Sequence, residues 1–217
     1  MVVAGGLWVK VCRKVPLFRL IFFAQLLGIG HSALAAEQLL VVDAVASEIR
    51  WGGRKLTGQH RGTLKVLSGS VRLINGVPFS GSLDVDMQSI QNTDILSDNW
   101  RAKLEDHLKS SDFFAVEDFP KARLTLVRCT SSRQISSQIQ CDCRLHLKGI
   151  ENPVTVVVSK KKSEILGSFT FDRTKWGVNY RSPKIANRIL NQIIYDEVQV
   201  DASIRFVEEK SQRSIAD

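Results

Sequence analysis

Val198-Gln199-Val200-Asp201-Ala202-Ser203-Ile204-Arg205-Phe206 alternates apolar and polar residues without a break. A period of two puts the five apolar side chains on one face of a strand and Gln, Asp, Ser and Arg on the other, so one face is dry and one is wet. The same pattern returns upstream. Phe79, Leu83, Val85 and Met87 are interleaved with Ser80, Ser82, Asp84 and Asp86; Val154, Val156 and Val158 repeat it; Leu145 and Leu147 flank His146. Asn75-Gly76, between Ile74 and Val77, is a strong short hairpin signal. Further strands are expected near 46–52, 60–67, 70–75, 122–129, 138–148 and 165–172. So many short strands in one stretch of this length predict an all-β fold, a sandwich or a barrel.

One helix interrupts the strands, over roughly 98–109. Ser97 or Asp98 is placed to cap it, Trp100, Leu104 and Leu108 form an i, i+4, i+8 stripe, and Glu105–Lys109 has the favourable orientation for an ion pair. A shorter helical piece is expected around 184–192. Between the first helix and the next strand runs His107-Leu108-Lys109-Ser110-Ser111-Asp112-Phe113-Phe114-Ala115-Val116-Glu117-Asp118-Phe119-Pro120. Ser110-Ser111-Asp112 is turn chemistry, and Pro120 biases Phe119 towards an extended backbone. Aromatic rings in a connection dock on apolar surface, so the segment reads as a lid over a hydrophobic interior. On an extended chain neighbours point opposite ways, which predicts that one of Phe113 and Phe114 faces inward and the other outward.

Residues 1–35 read as a cleavable secretory signal. Lys10, Arg13, Lys14 and Arg19 form a basic leader, Leu20–Ile29 an apolar run too short to span a bilayer, and Ala33-Leu34-Ala35 a small-residue exit. The reading implies export. The rest, 36–207, reads as a single domain, with 208–217 a frayed tail. Without the leader's four basic residues the net charge falls from +8 to +4. That charge is scattered apart from Lys160-Lys161-Lys162, and no aromatics interleave with it, which argues against nucleic acid.

Cys129, Cys141 and Cys143 remain after the leader. In an exported protein two of them are expected to pair, and Cys129–Cys141 across a hairpin is the better candidate. The alternation sets Cys129 on the face opposite Leu124 and Leu126, whereas Cys141 shares the face of Leu145 and Leu147, so the bridge requires a bulge. Cys141-Asp142-Cys143-Arg144-Leu145-His146 has the spacing of a metal motif, but on a strand His146 points away from both cysteines, so no metal is expected. Nucleophile elbows, zinc-protease helices, phosphate loops and dinucleotide fingerprints are absent from the sequence, and no cofactor or enzymatic activity is expected.

Several dispersed motifs occur in fixed order. They are W-G-G-x-K-x-x-G-x-H-x-G from Trp51 to Gly62, G-x-L-x-V-D-M-x-S-I at Gly81–Ile90, and K-L-x-x-H-L-K-S-x-D-F-F at Lys103–Phe114. F-P-x-A at Phe119–Ala122, L-x-L-K-G-I at Leu145–Ile150, D-R-T-K-W-G-V-x-Y-R-S at Asp172–Ser182 and Tyr195-Asp196-Glu197-Val198 complete the set. Together they closely resemble the YceI-like family, the polyisoprenoid-binding, lipocalin-like proteins of the bacterial periplasm. The three cysteines depart from that pattern, as does Arg123-Leu124, where an aromatic is usual.

The resemblance implies an antiparallel eight-stranded lipocalin-like barrel with one or two short helices, holding an isoprenoid or similar long-chain amphiphilic lipid in its lumen. Trp51, Phe79, Phe113, Phe114, Phe119, Phe169, Phe171, Trp176 and Tyr180 are the candidate lining residues, with His60 and Arg173 as polar contacts for a headgroup. The function expected is non-enzymatic binding, transport or storage of that lipid. The alternative is a redox accessory that presents a quinone-like molecule to a membrane cytochrome, with Cys141 and Cys143 as candidate redox groups. A homodimer is the other partnership left open.

Overall fold

The computed structural model describes residues 37–131, 138–161, 164–184 and 193–207. The expected leader (1–35), the helical piece beyond Lys184 and the tail (208–217) lie outside the described residues. Nine strands and one α-helix are described. In chain order they are β1 (Glu37–Val41), β2 (Glu48–Lys55), β3 (Gly58–Ile74), β4 (Val77–Asn92), α1 (Asp98–Lys109), β5 (Lys121–Ser131), β6 (Gln138–Leu147), β7 (Ile150–Lys161), β8 (Glu164–Asp172) and β9 (Ile194–Arg205). A single 3-10 turn, Arg173–Trp176, follows β8. No helix among the described residues is long and apolar enough to cross a membrane.

Every pairing is antiparallel. It runs β3–β2–β9–β8–β7–β6–β5–β4 and returns from β4 to β3. Eight strands therefore close into a barrel, and closure leaves no edge along its wall for another chain to pair with. β1 is the ninth strand but not a ninth stave. It pairs with Ser70–Ile74 of β3 while β2 pairs with Gly58–Leu64, and Val42 bridges to Phe206 beyond β9. Thus β1 and β2 are two lengths of one interrupted stave. Glu37-Gln38-Leu39-Leu40-Val41 carries no alternation, which is why no strand is expected there.

The barrel has two distinct ends. At the helix end lie the β2–β3 turn, α1 with the segment after it, the Lys148-Gly149 turn and the β8–β9 connection. At the hairpin end lie the β1–β2 link and the Asn75-Gly76 turn. Asn75 and Gly76 both adopt positive φ, 51° and 79°, as do Lys148 and Gly149, at 49° and 75°. Two consecutive positive φ values define the hairpin turn whose twist matches its strands.

Bulges account for most differences from strict alternation. The regions 60–67 and 70–75 are one continuous strand, bent by register shifts at Thr63/Lys65, Val66/Ser68 and Arg72/Leu73. At the last shift Leu73 pairs with Pro78 and Arg72 with Ser80, so Phe79 is the extra residue. Its ring is 60% exposed on the outer surface. Phe79 is therefore not a lining residue: the bulge breaks its phase with Leu83, Val85 and Met87. A second bulge, between Leu126 and Arg128, turns Cys129 inward opposite Cys141, and the two form a disulfide with Cα atoms 4.0 Å apart.

The helix spans Asp98–Lys109 with Ser97 at its N-cap position. Leu108 is buried, but Trp100 is 64% exposed, with the Lys103 ammonium 4.6 Å above its ring. Trp100 lies a full turn beyond the part of the stripe that meets the barrel. Glu105 does not serve an intrahelical pair; its carboxylate accepts the Asn92 N–H at 2.8 Å and ties the helix to the end of β4.

Candidate functional site

Lumen-facing residues come from the dry face of each strand: Val198, Val200 and Ala202 on β9, Leu83, Val85 and Met87 on β4, Leu145 and Leu147 on β6. They do not fill the interior. A cavity of about 190 Å³ lies between them under the helix end. Its cover is α1, through Leu104 and Leu108, and the turns that follow. Those turns are fixed by backbone bonds from Phe113 N–H to Ser110 O (3.1 Å), Phe114 N–H to Leu108 O (3.2 Å) and Val116 N–H to Lys109 O (3.0 Å). Because the chain is coiled there and Ala115 sits at φ 46°, neighbouring side chains do not alternate. Both Phe113 and Phe114 face the cavity, against the expectation of one in and one out. Behind Phe113, His107 stacks edge-on at 4.9 Å and the Tyr180 ring packs at a tilt at 5.4 Å, bracing the lid from outside the cavity.

The remaining predicted residues separate into those on the lumen and those packed behind it. Trp51 lines the cavity, and its indole N–H donates to Gln91 O at 3.2 Å. Gly62 makes this pose feasible: a Cβ there would lie 2.7 Å from the Trp51 ring and 1.7 Å from Gln91 O. Phe169 and Phe171 also line the lumen. Trp176 does not. It is 1% exposed, donates its indole N–H to Leu145 O at 3.0 Å and packs edge-on to Phe171, so it is core. Phe119 lies outside the cavity too, because its ring rests on Gly149, where a Cβ would approach within 2.8 Å. Tyr180 is absent from the lining and belongs to the lid brace.

Polar groups collect at the helix-end rim, where Arg54, Lys55, His60 and Tyr195 join the lining. The parity of β3 puts His60 on the same face as Leu64, inward. Its Nδ1 lies 2.9 Å from Asp94 Oδ2, while Asp94 Oδ1 accepts the Arg61 N–H at 2.8 Å. Burial alone would raise the Asp94 carboxyl, but the Arg61 N–H and the His60 and Asn92 side chains outweigh it and hold the pKa below the ordinary carboxylate value. This network fixes the imidazole, leaving Nε2 without a protein partner among the described residues.

Arg173 is different. It touches the cavity but is 2% exposed and already donates to Val178 O (2.7 Å), Ile194 O (3.0 Å) and Tyr195 O (3.2 Å). Its Nη2 also faces Asp196 Oδ1 at 3.4 Å; the contact is coulombic, since that buried oxygen accepts no hydrogen bond. The guanidinium therefore holds the β8–β9 connection together instead of presenting donors to a ligand.

A second apolar cavity of about 120 Å³ lies towards the hairpin end, bordered by Val42, Leu126, Cys141, Cys143, Val156 and Ile204 among others. Cys143 is free, and burial, with Asp142 adding to it, pushes its thiol up to about 11. His146 is exposed on the outer face, away from both cysteines. Aliphatic strand residues thus supply most of both linings. The alternation marks them as buried, but it carries no sign that the space between them stays open.

A closed antiparallel barrel with an unfilled lumen and a helical cover places the chain among the lipocalin-like barrels. Within them, the chain belongs to the YceI-like domain family, whose profile matches residues 40–206. The structure of BcnA from Burkholderia cenocepacia is similar, with a TM-score of 0.59 at 19% identity, covering 75% of this chain and 98% of that one. So is a polyisoprenoid binding domain from Saccharophagus degradans implicated in plant cell wall breakdown, with a TM-score of 0.54 at 15% identity, covering 80% of this chain and 98% of that one. Among proteins of curated function, none matches the sequence significantly.

Proposed function

We propose that this chain binds a long-chain amphiphilic lipid of the isoprenoid type, tail in the lumen and headgroup at the helix-end rim, and carries or stores it without chemical change. The observation that carries this reading is the apolar cavity of about 190 Å³ beneath Phe113 and Phe114, with its polar side chains, His60, Arg54, Lys55, Tyr195 and the already bonded Arg173, gathered at the helix end. Burying a tail stabilises the complex by about 0.8 kcal/mol per methylene, so a long chain needs few polar contacts. Trp51, Phe113, Phe114, Phe169 and Phe171 are the proposed lining aromatics, and His60 is the proposed headgroup contact, its ring oriented by Asp94. The family membership and the polyisoprenoid-binding neighbour support the same ligand class. The leader-like residues 1–35 are what supports export to the periplasm, where a polyprenyl tail would require shielding from water.

The redox alternative draws less support from the cysteines. Cys141 is held in the disulfide, and a buried thiol with a pKa near 11 is almost entirely protonated at neutral pH, hence a poor nucleophile. Native mass spectrometry of the purified protein, followed by solvent extraction, tests the proposal. The expected result is a co-purifying or readily loaded prenyl lipid, with His60→Ala weakening headgroup-bearing ligands more than plain prenyl alcohols. Protein that emerges empty and takes up no prenyl lipid overturns it.

A further inference from the structure

The two cavities are not independent. Both are bordered by Leu83, Leu124, Phe169 and Ala202. Leu83 and Leu124 are direct partners across β4 and β5; Phe169 and Ala202 stand on β8 and β9. In the order of the closed sheet these two strand pairs face each other across the lumen. The four side chains therefore form a waist from opposite walls, with one chamber above it and one below. The β4–β5 wall of the waist is pinned from outside. Asp84, the residue after Leu83, receives Arg123 Nε and Nη2 at 2.6 and 2.8 Å and Lys121 Nζ at 3.3 Å.

We infer that the hairpin-end chamber is a second binding subsite, one that takes the distal units of a prenyl tail long enough to pass the waist. The chamber thereby makes the protein selective for tail length. This rests on the lipid reading above. Both chambers have apolar linings, and the second adjoins the first, so an unbranched or isoprene chain entering at the helix-end rim reaches it only by crossing Leu83, Leu124, Phe169 and Ala202. A short tail leaves it empty. A long tail fills it and gains the burial of each added carbon, about fourfold in affinity per methylene.

Gly167 offers a way to close this chamber alone. It borders the second cavity and not the first, and a Cβ there meets only Val156 Cγ1, at an ordinary 3.5 Å. Gly167→Val therefore fits the wall, suits a strand interior better than glycine and fills part of the chamber. The test is competitive loading of delipidated protein with farnesol and solanesol, read by native mass spectrometry. Wild type is expected to favour solanesol by at least about tenfold. Gly167→Val should lower solanesol affinity by at least about tenfold while farnesol stays within about twofold. Val158→Phe, at a residue that borders the second cavity and not the first, provides an independent variant with the same expected signature. Solanesol binding that is unchanged in folded Gly167→Val and in folded Val158→Phe overturns the inference and leaves the lipid reading standing. Wild-type protein that binds neither alcohol overturns the lipid reading, and the second subsite with it.

Discussion

At the helix end the barrel is covered by side chains borrowed from a connection: Leu104, Leu108, Phe113 and Phe114, braced by His107 and Tyr180. At the hairpin end the wall is tied by the chain's own frame, through the Cys129–Cys141 disulfide and the Val42–Phe206 bridge. The helix end also gathers polar and titratable groups against the lumen, His60 with Asp94 and Arg173 with Asp196, whereas the second chamber is bordered by aliphatic and aromatic side chains, cysteines and glycines, with Ser82 its one polar side chain of another kind. A docked cover can be displaced by breaking packing contacts and a few hydrogen bonds such as Asn92 N–H to Glu105, and a covalent tie cannot. Under the proposed lipid reading, this contrast assigns entry and exchange to the helix end and a permanently closed wall to the other.

Four perturbations test that contrast. The largest effect is expected from Arg173→Met, which leaves the buried Asp196 carboxylate with only the exposed Lys184 ammonium, 3.7 Å from its other oxygen, and frees three carbonyls. The loss should be about 3–5 kcal/mol, measured by denaturant unfolding, with the helix end opening first in hydrogen exchange. Next is reduction of Cys129–Cys141, or Cys129→Ala with Cys141→Ala. Releasing a cross-link of separation 12 should cost about 2–4 kcal/mol, with increased exchange confined to the β5–β6 hairpin. Exchange increasing mainly beneath Phe113 would contradict the division into two ends.

A smaller effect concerns pH. The folded pKa of Asp94 lies below its ordinary 3.8, so its stabilising contribution is present above that value and is lost as the pH falls through the lower folded one. Asp94→Asn should cost about 1 kcal/mol at neutral pH and remove that part of the acid dependence, which acid titration of the melting temperature will show. The smallest change is expected from Phe79→Ser. With its ring outside the barrel, affinity for prenyl alcohols should stay unchanged and stability should shift by no more than about 0.5 kcal/mol. A clear loss of binding would return Phe79 to the lumen.

How far the sequence was legible follows the same geometry. Alternation in Val198–Phe206, and in Leu83, Val85 and Met87, reports one strand's two faces, and those residues stand on the lumen as expected. Phe79 escaped because a bulge is set by pairing with β3, which lies across the turn. The need for a bulge before Cys129 was legible because the cysteine's face conflicted with the leucines before it. Trp176, Phe119 and Tyr180 look like lining aromatics in one dimension. Their places are decided by partners distant in sequence: the Leu145 carbonyl, Gly149, and the rings of His107 and Phe113. Arg173 was expected to contact a headgroup, and only its three carbonyl partners, distant in sequence or across a turn, reveal that its donors are already occupied.

The seam where β2 meets β9 has a consequence for the order of events. It joins the two ends of the domain, with Ser47 and Arg205 exchanging hydrogen bonds across 158 residues of chain. Neighbouring hairpins such as β3–β4 and β6–β7 close over short loops and form early, whereas this seam must bear the entropy of the longest loop in the domain. Until it zips, the polypeptide is an open curved sheet with a bare apolar inner surface. Loop-closure entropy therefore predicts that the interior closes late in folding, and that a chain ending before Ile194 would expose as adhesive surface the residues that line the finished lumen.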